Sequence, residues 1–277
     1  MNISFYTSRT GMIAQQQGMN VYANNIANVN TIGYKPLRPS FAECIYTLQH
    51  PPREEWQTGH GQYISKTDLM WGQGGLVLSD QPLDFALPND GFFMTMDRNG
   101  DTYLTRDGRF SITQIDEAGD EWVLVNGLGD FMLDYDGNRI VIPFLMSEPR
   151  NEMVRDEEGN IIEVRVIPPF RTNDIDVNTL RDMIGVYNVP NNWGLDQAPN
   201  NRFVVTERSG EPVPAFIIDE NGERRFEHDK LEGMYEQSAV DLAGDMVRII
   251  ETQRSYQFNA KMVQVSDEIM KTVNNLR

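Results

Sequence analysis

Three acid-rich turns are the first places in this sequence where metal chemistry is conceivable. Asp97, Asn99 and Asp101 are spaced like the opening ligands of a calcium loop, and Asp134, Asp136, Asn138 and Asp219, Asn221, Glu223 repeat the theme. Such a loop completes its coordination with a bidentate glutamate at the twelfth position, which counted from Asp97 is Gly108. The spacing therefore predicts hydrogen-bonded turns rather than cation sites. Cys44 is the single cysteine and is accompanied only by His50, His60 and His228, which excludes a zinc cluster and an intrachain disulfide. No Gly-x-Ser-x-Gly elbow or His-Glu-x-x-His is present, so nucleophilic and zinc hydrolysis have no constellation to use. Gly72-Gln73-Gly74-Gly75 and Gly127-Leu128-Gly129 lack the third glycine and the strand-helix unit of a dinucleotide site. Nothing singles out a catalytic pair among the 41 carboxylates. Trp56, Trp71, Trp122 and Trp193 are expected as packing residues rather than a ligand platform. No enzyme, cofactor or metal site is expected, and attention moves to extended surfaces.

The two ends of the chain offer such surfaces. Ser238 to Leu276 reads as one helix of about 55 Å, opened by a capping box at Ser238 and Asp241. Leu242, Ile249, Tyr256, Val263 and Met270 recur in it every seven residues, and Ala239, Met246 and Ala260 widen the stripe. A first helix is predicted from near Ser4 or Thr7 to about Val29, closed by Gly33 and followed by extended chain at Pro36 and Pro39. Its seam is Phe5, Met12, Met19 and Ile26, with Tyr22 on the adjoining position. Residues 1–35 contain no carboxylate, and their polar positions are amides such as Asn24, Asn25 and Asn28. An amide is buried at far lower desolvation cost than a charge, so this face too is expected to be covered. With Gly11 and Gly18 inside it, the segment is a marginal helix on its own and must be ordered by packing. The expected assembly interface is thus Phe5, Met12, Met19, Tyr22, Asn24, Asn25, Ile26 and Asn28 with Leu242, Met246, Ile249, Tyr256, Val263 and Met270, and the expected partner is another copy.

All fourteen prolines lie between Pro36 and Pro214, which makes the middle hostile to helix. Phe41 to Leu48 reads as a short amphipathic piece, and Gln62 to Lys66 with Leu69 to Trp71 as a hairpin. Beyond Gly75, turn dipeptides such as Asp90-Gly91, Asn99-Gly100, Asp107-Gly108, Asp136-Gly137, Glu158-Gly159, Ser209-Gly210 and Asn221-Gly222 separate strand-like runs. The runs are Phe92 to Met96, Thr102 to Thr105, Arg109 to Thr113, Trp122 to Val125, Ile140 to Ile142, Ile161 to Ile167, Ile184 to Tyr187, Arg202 to Thr206 and Ala215 to Ile218, with Pro168 to Leu180 ambiguous. The fold class expected is α+β: long N- and C-terminal helices paired as a coiled coil, with a central, mainly antiparallel β domain. The division is residues 1–35 as N-terminal helix, 36–75 as extended arm, 76–230 as β domain and 231–277 as C-terminal helix. Charge follows it. Residues 1–35 hold two cations and no carboxylate, and residues 231–277 five cations against seven carboxylates, so residues 36–230 carry the whole −17. A pI near 4.5 without a basic stripe argues against nucleic acid. There is no membrane-spanning run and no secretory signal pattern, so by the usual routes the protein stays in the cytoplasm.

YANNIANVNTIGYK at Tyr22 to Lys35 resembles the N-terminal signature of the flagellar rod and hook protein family. LEGMYEQSAVDLAGDMVRIIETQRSYQFNAKMVQVSDEIM, from Leu231 to Met270, is similar to that family's C-terminal helix, and its part from Leu231 to Tyr256 looks closest to the distal-rod type. QPLDFALPNDGFF at 81–93 and YLTRDGRF at 103–110 look like the opening of its β domain. Ala239 stands where an Asn is commoner and Gly244 where a Glu is commoner. The resemblance implies a non-catalytic axial subunit of the flagellar basal body, with terminal helices in an inner tube and the β domain outside. It also implies a helical homo-oligomer whose partners are other rod and hook proteins. Export would run through the flagellar type III apparatus, which moves the expected location from cytoplasm to cell envelope. A hook or proximal-rod role is the near alternative, and a ligand-binding or enzymatic β domain oligomerised by its helices the distant one.

Overall fold

The chain separates into two units in the computed structural model, which describes residues 3–45, 47–49, 56–115, 121–146, 150–155, 161–167, 171–218, 224–226 and 229–276. The first unit comprises Met1–Gly75 and Glu236–Arg277, and the second Leu76–Tyr235. The architecture is α+β, with helices at both ends of the chain and an antiparallel sheet between them.

In the first unit, helix α1 spans Ile3–Ala27. It unwinds through Asn28 to Gly33, where Gly33 takes a left-handed φ of 64° that other residues adopt only at a cost. The chain then forms a strand, Leu37–Glu43, paired antiparallel with Gln62–Leu69 in a register running from Leu37 opposite Leu69 to Glu43 opposite Gln62. This corrects two expectations. Phe41 begins no amphipathic piece, because its backbone is pairing with residue Ile64, and Gln62 to Leu69 is one strand rather than one arm of a local hairpin. A second short pair, Thr47–Gln49 with Trp56–Thr58, follows the first. The C-terminal helix, Leu242–Asn275, starts later than the expected Ser238. Its cap is Asp241, whose carboxylate accepts from the Gly244 N–H at 3.1 Å. Gly244 matters here, since a side chain there would come within 2.3 Å of that carboxylate.

In the second unit, seven strands lie in the order Asp196–Ala198, Arg202–Val204, Thr102–Thr105, Phe92–Met96, Phe131–Met132, Trp122–Asn126 and Phe110–Gln114. Val186–Asn188 joins the other end of Phe92–Met96 and carries Val213–Pro214. Every pairing in this sheet is antiparallel, some between chain neighbours such as Phe92–Met96 with Thr102–Thr105 and others between strands far apart in sequence, and Gly100, Gly137 and Gly210 supply positive φ at turns read from the sequence. The turns at Glu158-Gly159 and Asn221-Gly222, like Asp219, Asn221 and Glu223, lie outside the described residues. Ile140 to Ile142 is not a strand: single bridges join Val141 to Val123 and Arg139 to Leu133, yet Ile140 and Ile142 are both buried. The ambiguous stretch after Pro168 contains a strand, Arg171–Ile175, and then helix α2, Val177–Met183, capped by Asp176 and anchored by the buried Leu180. The core is built from Phe85, Phe93, Phe110, Leu124, Met132, Ile140, Leu180, Ile184 and Val186. Trp193, expected as a packing residue, is largely exposed on a short 3-10 turn. We label the C-terminal helix α3.

Candidate assembly interface

Helices α1 and α3 pack along each other in opposite directions. Gly11 lies against Asn259 and Asn25 bonds to Asp245, so fourteen residues of one helix run against fourteen of the other. The side chains buried on α1 are small: Ser8, Gly11, Ala14 and Gly18, followed by Tyr22 and Asn25. Opposite them, the seven-residue series on α3 is polar, with Asp245, Thr252 and Ser266 buried and Asn259 over Gly11. Small residues let the helix axes approach, and Asp245 and Thr252 keep hydrogen bonds at that close range. Thr252 returns its hydroxyl to the carbonyls of Arg248 and Ile249 at 2.8 and 2.9 Å.

One end of the seam is tied by a polar knot. Asn25 is 1% exposed; its amide nitrogen donates to the Leu37 carbonyl at 2.8 Å and to Asp245 at 3.1 Å, and its oxygen accepts from the Leu37 N–H at 2.9 Å. The Tyr34 hydroxyl also donates to that oxygen, at 3.3 Å. Burial, and then the Asp245 charge, raise the Tyr34 pKa, which keeps this donor protonated. Arg248 donates to the other Asp245 oxygen at 3.0 Å. Nearby, Lys35 and Glu236 form an ion pair of 2.7 Å with side chains 1% and 2% exposed. Lys35 also donates to the Gly72 carbonyl and Glu236 accepts from the Gly74 N–H, so the pair fastens three separate stretches of chain. Removing one partner from such a pair leaves a buried charge and costs about 3–5 kcal/mol.

The residues read from the sequence as interface fall into three groups. Tyr22 and Asn25 are buried in the α1–α3 seam. Met12, Met19, Ile26 and Asn28 on α1, and Ile249, Tyr256 and Val263 on α3, are half-buried. Phe5, Asn24, Leu242, Met246 and Met270 are exposed. Asn24 donates to the Tyr34 hydroxyl, while Asn28 donates back to Asn24 and accepts from Thr31. The seven-residue count missed a second stripe. Val247, Ile250, Phe258, Met262, Val265, Ile269, Val273 and Leu276 recur at steps of three, four or eight along one exposed side of α3, with Phe258 at 68% and Leu276 at 84%. Ile3, Tyr6 and Ile13 are exposed on α1. The signal that finds the stripe is a plain 3.6-residue period started at Val247.

Among the described residues no three metal-binding side chains cluster, and no described helix is long and apolar enough to cross a membrane. Asp97 spends its carboxylate on the Arg98 N–H and the Asn99 amide of its own turn.

Residues 5–35 match the family described as "Flagella basal body rod protein", and residues 231–276 that described as "Flagellar basal body rod FlgEFG protein C-terminal". The sequence is 31% identical to the flagellar basal-body rod protein FlgG of Buchnera aphidicola subsp. Baizongia pistaciae, over 99% of each chain. It is 29% identical to FlgG of Borreliella burgdorferi over 99% of this chain and 98% of the relative. Identity to the flagellar hook-basal body complex protein FlhP of Bacillus subtilis is 26%, over 99% of each. The two matched segments contain the seam, Asn25, Asp245 and both members of the Lys35–Glu236 pair.

Proposed function

Because this chain belongs to the flagellar basal-body rod protein family, we propose that it is a structural subunit of that rod, of the distal type, and that its copies assemble through the terminal helices. The observation that carries the mechanism is the second apolar stripe on α3. Eight large side chains from Val247 to Leu276, on a helix already packed against α1, face solvent in the single chain. Fully burying an exposed side chain of this kind contributes roughly 1.5–3 kcal/mol, which makes the stripe a sufficient source of cohesion between copies. The seven-residue spacing of Asp245, Thr252, Asn259 and Ser266 supports reading the α1–α3 pair as a coiled coil, with the stripe left for neighbours. Its partners are then other copies, the adjoining rod and hook proteins and the export apparatus that delivers it, and its location is the basal body.

The test is the full-length protein beside its Phe258→Glu/Val265→Glu variant, by electron microscopy and sedimentation. Both positions are exposed, so the variant keeps its helical circular dichroism. Open-ended polymers from the parent and monomers from the variant are expected. A closed oligomer of fixed size from the parent protein would overturn the reading in favour of a ligand-binding domain oligomerised by its helices.

A further inference from the structure

Helix α3 extends beyond the described part of α1. Carried on from the Gly11–Asn259 contact, the register sets Ile3, the first described residue of α1, level with Asp267. Glu268 to Leu276 therefore extend about 13 Å past the described part of α1, as an overhang of α3. The overhang exposes Ile269, Met270, Val273 and Leu276. Its last turn has no basic residue, although the final carbonyls of a helix lack intrahelical donors and form the negative end of the dipole.

The opposite end of the same helix pair holds a cleft of about 240 Å³. Pro36, Leu37, Met70 and Ala239 give it apolar walls, and Arg38 and Arg248 bring guanidinium groups to it. Its carboxylates are already engaged, Asp241 by the Gly244 N–H and Asp245 by Asn25 and Arg248. The cleft is smaller than the roughly 300–1,000 Å³ typical of small-molecule pockets. It suits a few aliphatic side chains and the carbonyls beside them.

We propose that the overhang of one copy, Ile269 to Leu276, seats in the cleft of the next copy, with Val273 and Leu276 against Met70 and Pro36 and the last carbonyls facing Arg38 and Arg248. This rests on the self-assembly reading above and adds to it a head-to-tail contact along the helix direction. The two surfaces differ and lie at opposite ends of one helix pair, so the contact is heterologous and can repeat head to tail from copy to copy.

The test uses full-length protein carrying Cys44→Ser, Met70→Cys and Val273→Cys, polymerised and then mildly oxidised. A ladder of disulfide-linked dimers, trimers and longer chains is expected, with none from either single-cysteine protein. Arg38→Glu is expected to raise the critical concentration for polymerisation about tenfold, with helical circular dichroism unchanged. Polymers that give no ladder, or an equal ladder when Glu251→Cys replaces Met70→Cys, overturn the contact and leave self-assembly standing. Parent protein that forms no polymer at any concentration overturns both. A critical concentration within about twofold of the parent's for Arg38→Glu overturns the role of the guanidinium rim.

Discussion

Asn24 and Asn25 are chain neighbours with the same side chain and opposite surroundings. Asn25 is buried and bonded to Asp245, whereas Asn24 is exposed. Asn25→Asp places a second carboxylate 3.1 Å from the first, and is expected to cost about 3–5 kcal/mol, seen as a lower urea midpoint of the helical signal. Asn24→Asp should change it by less than about 0.5 kcal/mol. A pH series asks a different question of the second unit. Lys230 is buried, donating to the Ile184 carbonyl at 2.8 Å and the Tyr135 hydroxyl at 3.3 Å, and burial pushes its pKa down to about 8. The folded chain then releases this proton before the unfolded chain does, so the burial cost is present below pH 8 and stability rises with pH from about 8 towards 10. Tyr135 and Tyr187 act with opposite sign. Burial raises both, Tyr187 to about 12, so above pH 10 the unfolded phenols ionise first and stability falls. Urea midpoints should rise from about pH 8 to a peak near pH 10, and Lys230→Met should remove the rise while keeping the fall.

At the scale of elements, glycine decides how closely the pieces approach. A Cβ on Gly18 would lie 2.9 Å from the Phe41 ring, so the Leu37–Glu43 strand sits directly on α1 there. Gly18→Leu is expected to destabilise by about 1–3 kcal/mol despite a better helix propensity, and Phe41→Ala in the same chain should recover part of the loss. Thermal melts of the two variants and the pair would measure the coupling. The same feature explains what was legible beforehand. Counting large side chains every seven residues located both helices and the half-buried Ile249, Tyr256 and Val263. It could not find a seam made of Ser8, Gly11, Ala14 and Gly18, because close packing selects residues for what they lack. The Asp241 cap was within reach, since the spacing named it as a partner of Ser238 rather than as the cap itself. The strand at Phe41 was not, because its ladder is supplied by residues about 23 positions away. Helix α2 was hidden by its length, seven residues anchored by the single buried Leu180.

Charge belongs to the whole molecule. Residues 36–230 carry the net −17 while both ends are nearly neutral, so like charge between copies opposes an attraction that comes from apolar burial. Raising ionic strength from about 0.01 to 0.15 M shortens the screening length from roughly 30 to 8 Å and should promote polymerisation, read by light scattering. Moderate salt that instead dissolves polymers would show that ion pairs between copies dominate. The Lys35–Glu236 pair has a consequence for time rather than for strength. Its members are 201 residues apart, so the first unit waits for a segment near the far end of the chain. When the second unit folds, the Gly233 N–H bonds to the Asp84 carbonyl at 2.8 Å, and the loop left to close shrinks from 201 residues to roughly 50, lowering the entropic cost by about 1.2 kcal/mol. Destabilising the second unit by Phe93→Ala should therefore slow the appearance of the helix pair several-fold in stopped-flow refolding, although Phe93 lies in the other unit. The middle of the chain acts as the chaperone of its own two ends.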